Sequence, residues 1–183
     1  SAGRTAPWSG CMVIRTEGPM FFLSVNTTDG NPRQVRYSDT GLSIDGALPV
    51  NGNNGSNQRI LAAKDRLYVW SIGSGAIEKV WDGATWTTIT GSPPAAYAVN
   101  AAYDESTGTY LLLGEGNLHL SSDGVAFTSK ALSTANNQRG FCAANGRIVY
   151  AWNNGRIGVS TNLGTTWVDT PTWIFPTVMA AAN

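Results

Sequence analysis

A turn built from an acidic or amide residue, a glycine and usually an aromatic recurs along the chain at a near-constant interval. Four short β-branched or aromatic runs fill each interval, and the first run of each is rich in small residues. These three observations predict an all-β fold, a β-propeller of four-stranded antiparallel blades, with four blades plus the inner strand of a fifth. The turns are Tyr37-Ser38-Asp39-Thr40-Gly41, Trp81-Asp82-Gly83-Ala84-Thr85-Trp86, Ser121-Ser122-Asp123-Gly124-Val125-Ala126-Phe127 and Ser160-Thr161-Asn162-Leu163-Gly164-Thr165-Thr166-Trp167. Their anchors Asp39, Asp82, Asp123 and Asn162 lie 43, 41 and 39 residues apart. A period of about 40 residues marks stacked copies of one supersecondary unit, and a four-stranded blade has that length. A β-sandwich or a parallel β-helix has no need of the four-stroke period.

The first copy is the loosest, with strands expected at 11–15, 20–25, 34–37 and 42–45. The second reads as 60–63, 66–71, 76–80 and 85–90, and the third as 97–103, 109–114, 117–121 and 126–132. In the fourth, the small run Gly140-Phe141-Cys142-Ala143-Ala144 ends at Asn145-Gly146, and Arg147 to Trp152 ends at Asn153-Asn154-Gly155. Arg156 to Ser160 then enters the recurring turn, and Thr165 to Asp169 leaves it. Asn and Gly tolerate positive φ, so these junctions favour tight hairpins. The blades therefore run over about 7–48, 57–92, 95–134 and 137–170, one propeller or propeller segment filling 1–183.

Small residues recur in the first strands, as in Leu61-Ala62-Ala63, Asn100-Ala101-Ala102 and Cys142-Ala143-Ala144. Innermost strands converge on the axis, where bulky side chains would collide. The second strands are the heaviest, as in Leu67-Tyr68-Val69-Trp70 and Tyr110-Leu111-Leu112-Leu113, which suits a mid-sheet position packed on both faces. Agreement between these levels is stronger than any one of them. Val178 to Asn183 resembles another first strand (compare Phe141 to Asn145), so 175–183 reads as the start of a further blade. A longer protein, a closed four-blade ring with an extra strand, and completion by a partner chain are the three ways to read that ending. An open propeller leaves an apolar blade face exposed, and exposed faces of that kind mark interfaces.

The recurring turn has its own physical logic. An Asp or Asn oxygen accepts hydrogen bonds from nearby backbone N–H groups, and Gly supplies angles that a bulkier residue resists. The aromatic that follows pins the outer strand. Asp39, Gly41, Asp82, Gly83, Asp123, Gly124, Asn162 and Gly164, with Trp86, Phe127 and Trp167, are accordingly expected to be structural. At Ser160 to Trp167 the pattern resembles the Asp-box, or bacterial neuraminidase repeat, of form Ser/Thr-x-Asp-x-Gly-x-Thr-Trp, with Asn162 in place of Asp. The segment 37–44 resembles it with Tyr37 first and Ile44 last, and the second and third copies are one residue shorter. The resemblance implies a sialidase-like propeller in which this turn joins third and fourth strands on the face opposite the ligand site. The WD40 repeat is a poorer match, because Trp81-Asp82 occurs once and no Gly-His partner accompanies it.

Charged residues are 13 % of the chain, and Lys+Arg 12 balances Asp+Glu 12, so no broad electrostatic attraction to nucleic acid or anionic membrane is expected. No run approaches the roughly 20 apolar residues of a membrane span, and Ser1 to Trp8 lacks the apolar stretch of a leader peptide. Cys11 and Cys142 fall at comparable places in the first and fourth copies and read as buried free thiols rather than a disulfide. The single histidine, His119, cannot build a multi-histidine metal site, and Asp104-Glu105 lacks calcium-loop spacing, so neither metal nor cofactor is expected.

The sialidase resemblance implies three arginines gripping a carboxylate, a Tyr–Glu pair and an Asp acid on the axial face. Asn57-Gln58-Arg59 and Asn137-Gln138-Arg139 lead into first strands two copies apart, and a guanidinium pair facing across the axis suits a carboxylate, sulfate or phosphate. The plainer reading makes Asn-Gln-Arg a repeated structural lead-in. No third equivalent arginine exists, since the third copy has Ala95-Ala96-Tyr97 and the first Ala6-Pro7-Trp8. Arg59, Arg139, Tyr97, Trp8 and Glu115 are thus the candidate ligand residues, with the aromatics placed to stack on sugar rings. Glu115 and Glu78 read most simply as solvated carboxylates. No catalytic residue is expected, and the chain reads as a non-catalytic module for structure or surface binding, with other protein chains as partners. Its low charge and Asn/Gly/Thr-rich turns resemble phage tail and fibre components, which implies a virion or extracellular surface. The alternative is a lectin or a sialidase-like glycosidase fragment that holds a cell-surface glycan.

Overall fold

A computed structural model describes residues 6–15, 18–26, 34–38, 46–48, 58–71, 77–92, 100–114, 116–132, 138–152 and 156–171. Every regular element among them is a β-strand. The chain divides into two compact units, Ser1–Thr88 and Ile89–Asn183, and each holds two sheets.

In the first unit, β1 (Ala6–Arg15), β2 (Gly18–Asn26), β3 (Gln34–Ser38) and β4 (Gly46–Leu48) form one antiparallel meander. β5 (Gln58–Ala63), β6 (Arg66–Ser71), β7 (Ile77–Trp81) and β8 (Trp86–Thr88) form the next. The inner strand β5 packs on β1 and β2. Val13 and Met20 from the first sheet meet Ile60, Leu67, Val69 and Trp81 from the second in one apolar core, flanked by Cys11, Tyr37, Ala62 and Trp86. Alternation along the strands puts these residues on facing surfaces. The described outer strand of the first sheet is Gly46–Leu48, and the expected strand at 42–45 lies outside the described residues.

In the second unit the sheet order is β10 (Asn100–Asp104), β11 (Thr109–Leu113), β12 (Asn117–Ser121), β13 (Ala126–Ala131), β9 (Thr90–Gly91). β14 (Gln138–Ala144), β15 (Arg147–Trp152), β16 (Arg156–Ser160) and β17 (Val168–Pro171) form the last meander. β14 packs on β10 and β11. Leu111, Leu113, Leu118, Leu120 and Leu132 meet Phe141, Ala143, Ile148 and Tyr150, and Ala102, Leu163 and Trp167 close the edges. All of Tyr110 to Leu113 is buried, as a mid-sheet strand requires.

Two outer strands differ from their sequence expectations. The expected strand 85–90 ends at Thr88, and Thr90–Gly91 pair in parallel with Ala126 and Phe127 as a fifth strand of the third sheet. Thr90 N–H donates to Val125 O (3.1 Å) and Ser92 N–H to Phe127 O (2.7 Å). Gly91 has φ +78° with Phe127 backbone against its Cα, a place no side chain could occupy. In the fourth copy the outer strand starts at Val168, because the turn continues through Thr166: Asn162 accepts from Thr166 N–H (2.9 Å) and donates to its hydroxyl (2.9 Å). The segments 93–99 and 172–183, and with them the proposed start of a further blade at 175–183, lie outside the described residues.

Candidate functional site

Asp82, Ser121, Asp123, Ser160 and Asn162 of the recurring turns are engaged with the backbone of their own turns. Asp82 Oδ1 accepts from Ala84 N–H (3.0 Å) and Thr85 N–H (2.8 Å), and the Thr85 hydroxyl reaches both carboxylate oxygens. Asp123 Oδ1 accepts from Val125 N–H (2.8 Å), Ala126 N–H (2.9 Å) and the Ser121 hydroxyl (2.7 Å). The Ser121 oxygen in turn accepts from Asp123 N–H and Gly124 N–H. Asn162 repeats this relay, with Ser160 Oγ donating to its Oδ1 (3.0 Å) and accepting from Gly164 N–H (2.8 Å). Gly83, Gly124 and Gly164 all have positive φ. The backbone N–H groups of Thr85 and Ala84 hold the Asp82 pKa below the usual carboxylate range, and those of Ala126 and Val125 do the same for Asp123.

The aromatics complete the turns by packing. Trp86 opens β8, Phe127 is buried in β13, and Trp167 meets the Tyr150 ring edge-on at 4.7 Å and 85°. The indole N–H groups of Trp86 and Trp167 are both buried without an acceptor, so these rings act as apolar bodies. Asp39 and Gly41 lie outside the described residues. Asp123→Ala is expected to lower stability by about 1 kcal/mol, since three donors of an exposed turn lose one shared acceptor and water replaces it in part. Urea denaturation measures that loss.

Turns of the fourth sheet are tied to the third. Lys130 Nζ donates to Leu163 O (2.9 Å) and Thr165 Oγ1 (2.9 Å). Asn100 Nδ2 donates to Phe141 O (3.2 Å). Asp104 is fully buried and accepts from Ser106 Oγ (2.7 Å), Ser106 N–H (3.0 Å) and, across the sheets, Gly146 N–H. Burial pushes the Asp104 pKa up, but the Ser106 hydroxyl and the backbone N–H groups of Gly146, Ser106 and Thr107 outweigh it and leave the carboxyl below its ordinary range.

His119 is 4 % exposed, with Nδ1 2.7 Å from Ser92 O. A carbonyl only accepts, so Nδ1 carries the proton and ties the segment after β9 to the sheet. Burial lowers its pKa, and the Ser92 carbonyl offsets this only partly. A base whose folded pKa lies below its unfolded value near 6.5 binds a proton more readily in the unfolded chain, so stability declines as pH falls through that value. His119 is the only histidine. The urea midpoint should therefore drop between about pH 7.5 and 5.5, and His119→Gln should flatten the drop.

The candidate ligand residues are placed as follows. Arg59 is in β5, paired with Trp70, and Arg139 is in β14 at the residue passed over between Gln138 and Gly140. Trp8 occupies the same kind of position in β1, passed over between Pro7 and Ser9. Tyr97 and Glu115 lie outside the described residues. Arg59 and Arg139 belong to different units. Cys11 and Cys142 are free and half-buried, less enclosed than the sequence suggested, and burial pushes the Cys11 thiol up to about 12 and raises that of Cys142. A cavity of about 540 Å³ lies over the β14–β15 hairpin, lined by Cys142, Ala144, Asn145, Arg147 and Val149. Sequence reasoning missed this cavity, the Asp104 tie and the His119 tie.

The backbone resembles several solved propellers. A GH74 enzyme from Niastella koreensis matches with a TM-score of 0.59 at 19 % identity, over 91 % of this chain and 30 % of that one. YCF48, solved with a bound D1 peptide, gives 0.53 at 16 %, over 86 % and 50 %. A catalytically inactive virginiamycin B lyase from Staphylococcus aureus, solved with quinupristin, gives 0.68 at 10 %, over 94 % and 57 %. The chain therefore has the β-propeller fold, built of antiparallel blades, and spans between 30 % and 57 % of the length of these propellers. No protein-family profile matches it, and no curated protein matches it in sequence.

Proposed function

We propose that the chain is a non-catalytic β-propeller module that serves structure or surface binding through contacts with other protein chains, in a setting such as a phage tail or fibre, with Asp-box turns as its scaffold. The observation that carries this reading is the engagement of its polar groups. Asp82, Asp104, Asp123, Asn162, Ser121, Ser160 and His119 all hold backbone or turn partners, which leaves them braced against reaction geometry. The propeller of YCF48 with its bound peptide is a precedent for protein recognition by this fold. The test is assembly: sedimentation and pull-down with intact particles should give a stable complex. A monodisperse monomer with no affinity for any particle or cell-surface component would sink the proposal.

A second reading, a glycan site on the axial face, draws on the register. Arg139 and Trp8 each sit where the inner-strand pairing skips one residue, and such bulges commonly re-aim a residue next to binding sites. Arg59, Tyr97 and Glu115 complete that candidate set. A glycan array signal abolished in an Arg59→Ala, Arg139→Ala double variant supports it, and turnover of a sialic-acid substrate would replace the non-catalytic reading with a glycosidase.

A further inference from the structure

The cavity of about 540 Å³ at the end of β14 has the size of a small-molecule site, and its lining comes from one hairpin: Cys142, Ala144, Asn145, Arg147 and Val149. The ladder explains the grouping. Cys142 pairs with Val149 and Ala144 with Arg147, so these four residues share one face of the sheet. The other face, with Phe141, Ala143, Ile148 and Tyr150, is buried against the third sheet. Cys142, Ala144 and Val149 are half-buried and make an apolar floor, while Asn145 and Arg147 are exposed at its rim.

The rim is braced from two sides. Asn145 and Gly146 turn the hairpin with φ of +54° and +71°. Gly146 N–H donates to buried Asp104 at the end of β10, and Gly146 O accepts from Leu163 N–H (3.2 Å) in the recurring turn. Those bonds fix the backbone on which Asn145 and Arg147 stand and use neither side chain. The guanidinium of Arg147 has no hydrogen-bond or ion-pair partner among the described residues. Asp169 is the one acidic residue in β14 to β17, and its pairing with Gly158 puts it on the face of Tyr150. The face that carries Arg147 therefore holds a cation over apolar surface with no carboxylate from its own strands.

We propose that this cavity binds a monocarboxylate with an apolar body, its carboxylate held by Arg147 and Asn145 and its body laid on Cys142, Ala144 and Val149. One guanidinium balances one charge, and its planar fork matches the two oxygens of a carboxylate. A phosphate dianion calls for a second cation, and the lining contains no other. A free ligand suits the cavity better than a segment of a partner chain, because the lining stops at Val149 and takes nothing from β16 or β17. The site is separate from the axial candidates, since Arg139 lies near the start of β14 and the cavity at its end.

Octanoate is the probe, with N-ethylmaleimide modification of Cys142 and Cys11 followed by peptide mass spectrometry. Octanoate should slow modification of Cys142 several-fold and leave Cys11 unchanged, and octylamine should protect neither. Arg147 is exposed, so its replacement leaves the packing intact. Arg147→Gln should remove the protection, and Arg147→Lys should restore part of it. Equal protection by octylamine, protection that survives Arg147→Gln, or no protection at all would overturn the proposal. Stronger protection by octyl phosphate would do the same by changing the head group, and by the peptide acetyl-Val-Glu-Val-amide by seating a partner segment. NMR titration supplies a readout that needs no thiol: the Arg147 Nε–H and Asn145 Nδ2 signals should shift with octanoate, and unmoved signals would equally overturn it.

Discussion

Replacing Gly158 by alanine is expected to destabilise the Ile89–Asn183 unit by about 3 kcal/mol, the upper end of what an added methyl costs in a closed core. Gly158 pairs directly with Tyr150 across β15 and β16, and the tyrosine ring lies over the glycine Cα. An alanine Cβ there would sit 2.5 Å from Cζ and 2.8 Å from the phenol oxygen, and nearer still to Cε1. The ring cannot yield easily. It is fully buried among Leu111, Leu118 and Phe141, and Trp167 abuts its face edge-on at 4.7 Å. Glycine is required here by space and not by backbone angle. Thermal melts should show a fall of about 10 °C or more for a unit of this size. Pairing Gly158→Ala with Tyr150→Leu should recover part of the loss, because the double change removes the clash that the single change creates, and that non-additivity is the signature to look for. A Gly158→Ala protein as stable as the parent would show that the ring does not rest on β16.

Much of the architecture was legible because it repeats. Turns that combine an Asp or Asn with a Gly, the heavy second strands and the small first strands recur at one period, so each copy corroborates the others, and each sheet contains the expected four-stranded antiparallel meander. The chain between copies was less legible. Nothing in Thr90-Gly91 distinguishes the end of an outer strand from a parallel addition to the next sheet, since the partner Val125-Ala126-Phe127 lies far along the chain and the signal is only a glycine with a buried Ile89 before it. The same distance hid Asp104. Beside Glu105 it reads as one more solvated turn carboxylate, and its decisive partner, Gly146, is 42 residues away. His119 was visible as a lone histidine between leucines, but its tie to Ser92 depends on where the chain runs after β9. Local pattern records hydrogen bonds that close within a turn, such as those of Asp82 and Asp123, and is silent on those that join one sheet to another. The candidate ligand residues share that difficulty. A lead-in such as Asn-Gln-Arg repeats equally well whether it serves the strand or a ligand.

Asp104→Asn is the other change with a large expected effect, about 3 kcal/mol at neutral pH. The carboxylate accepts from the Ser106 hydroxyl, Ser106 N–H and Gly146 N–H within a fully buried setting. Hydrogen bonds to a buried charge are worth about 1.5–3 kcal/mol, and a donor left without an acceptor costs about 1–3 kcal/mol more. The amide retains one oxygen for Ser106 but turns an NH₂ toward Gly146 N–H, so the tie between the β10–β11 turn and the Asn145-Gly146 turn is replaced by two opposed donors. The sign of the pH dependence follows from the depressed pKa. Asp104 ionises more readily in the folded chain than in the unfolded one, so its contribution is complete above the unfolded value near 3.9 and is lost as pH falls through the folded value. Stability of the parent should therefore decline steeply below about pH 4, whereas the asparagine variant starts lower and declines less, and the two denaturation curves should converge in acid. Hydrogen exchange at the Gly146 amide localises the effect: protection lost there, with the Asp123 turn unchanged, assigns the loss to the inter-sheet tie. Parallel pH profiles for the two proteins would remove Asp104 from that role.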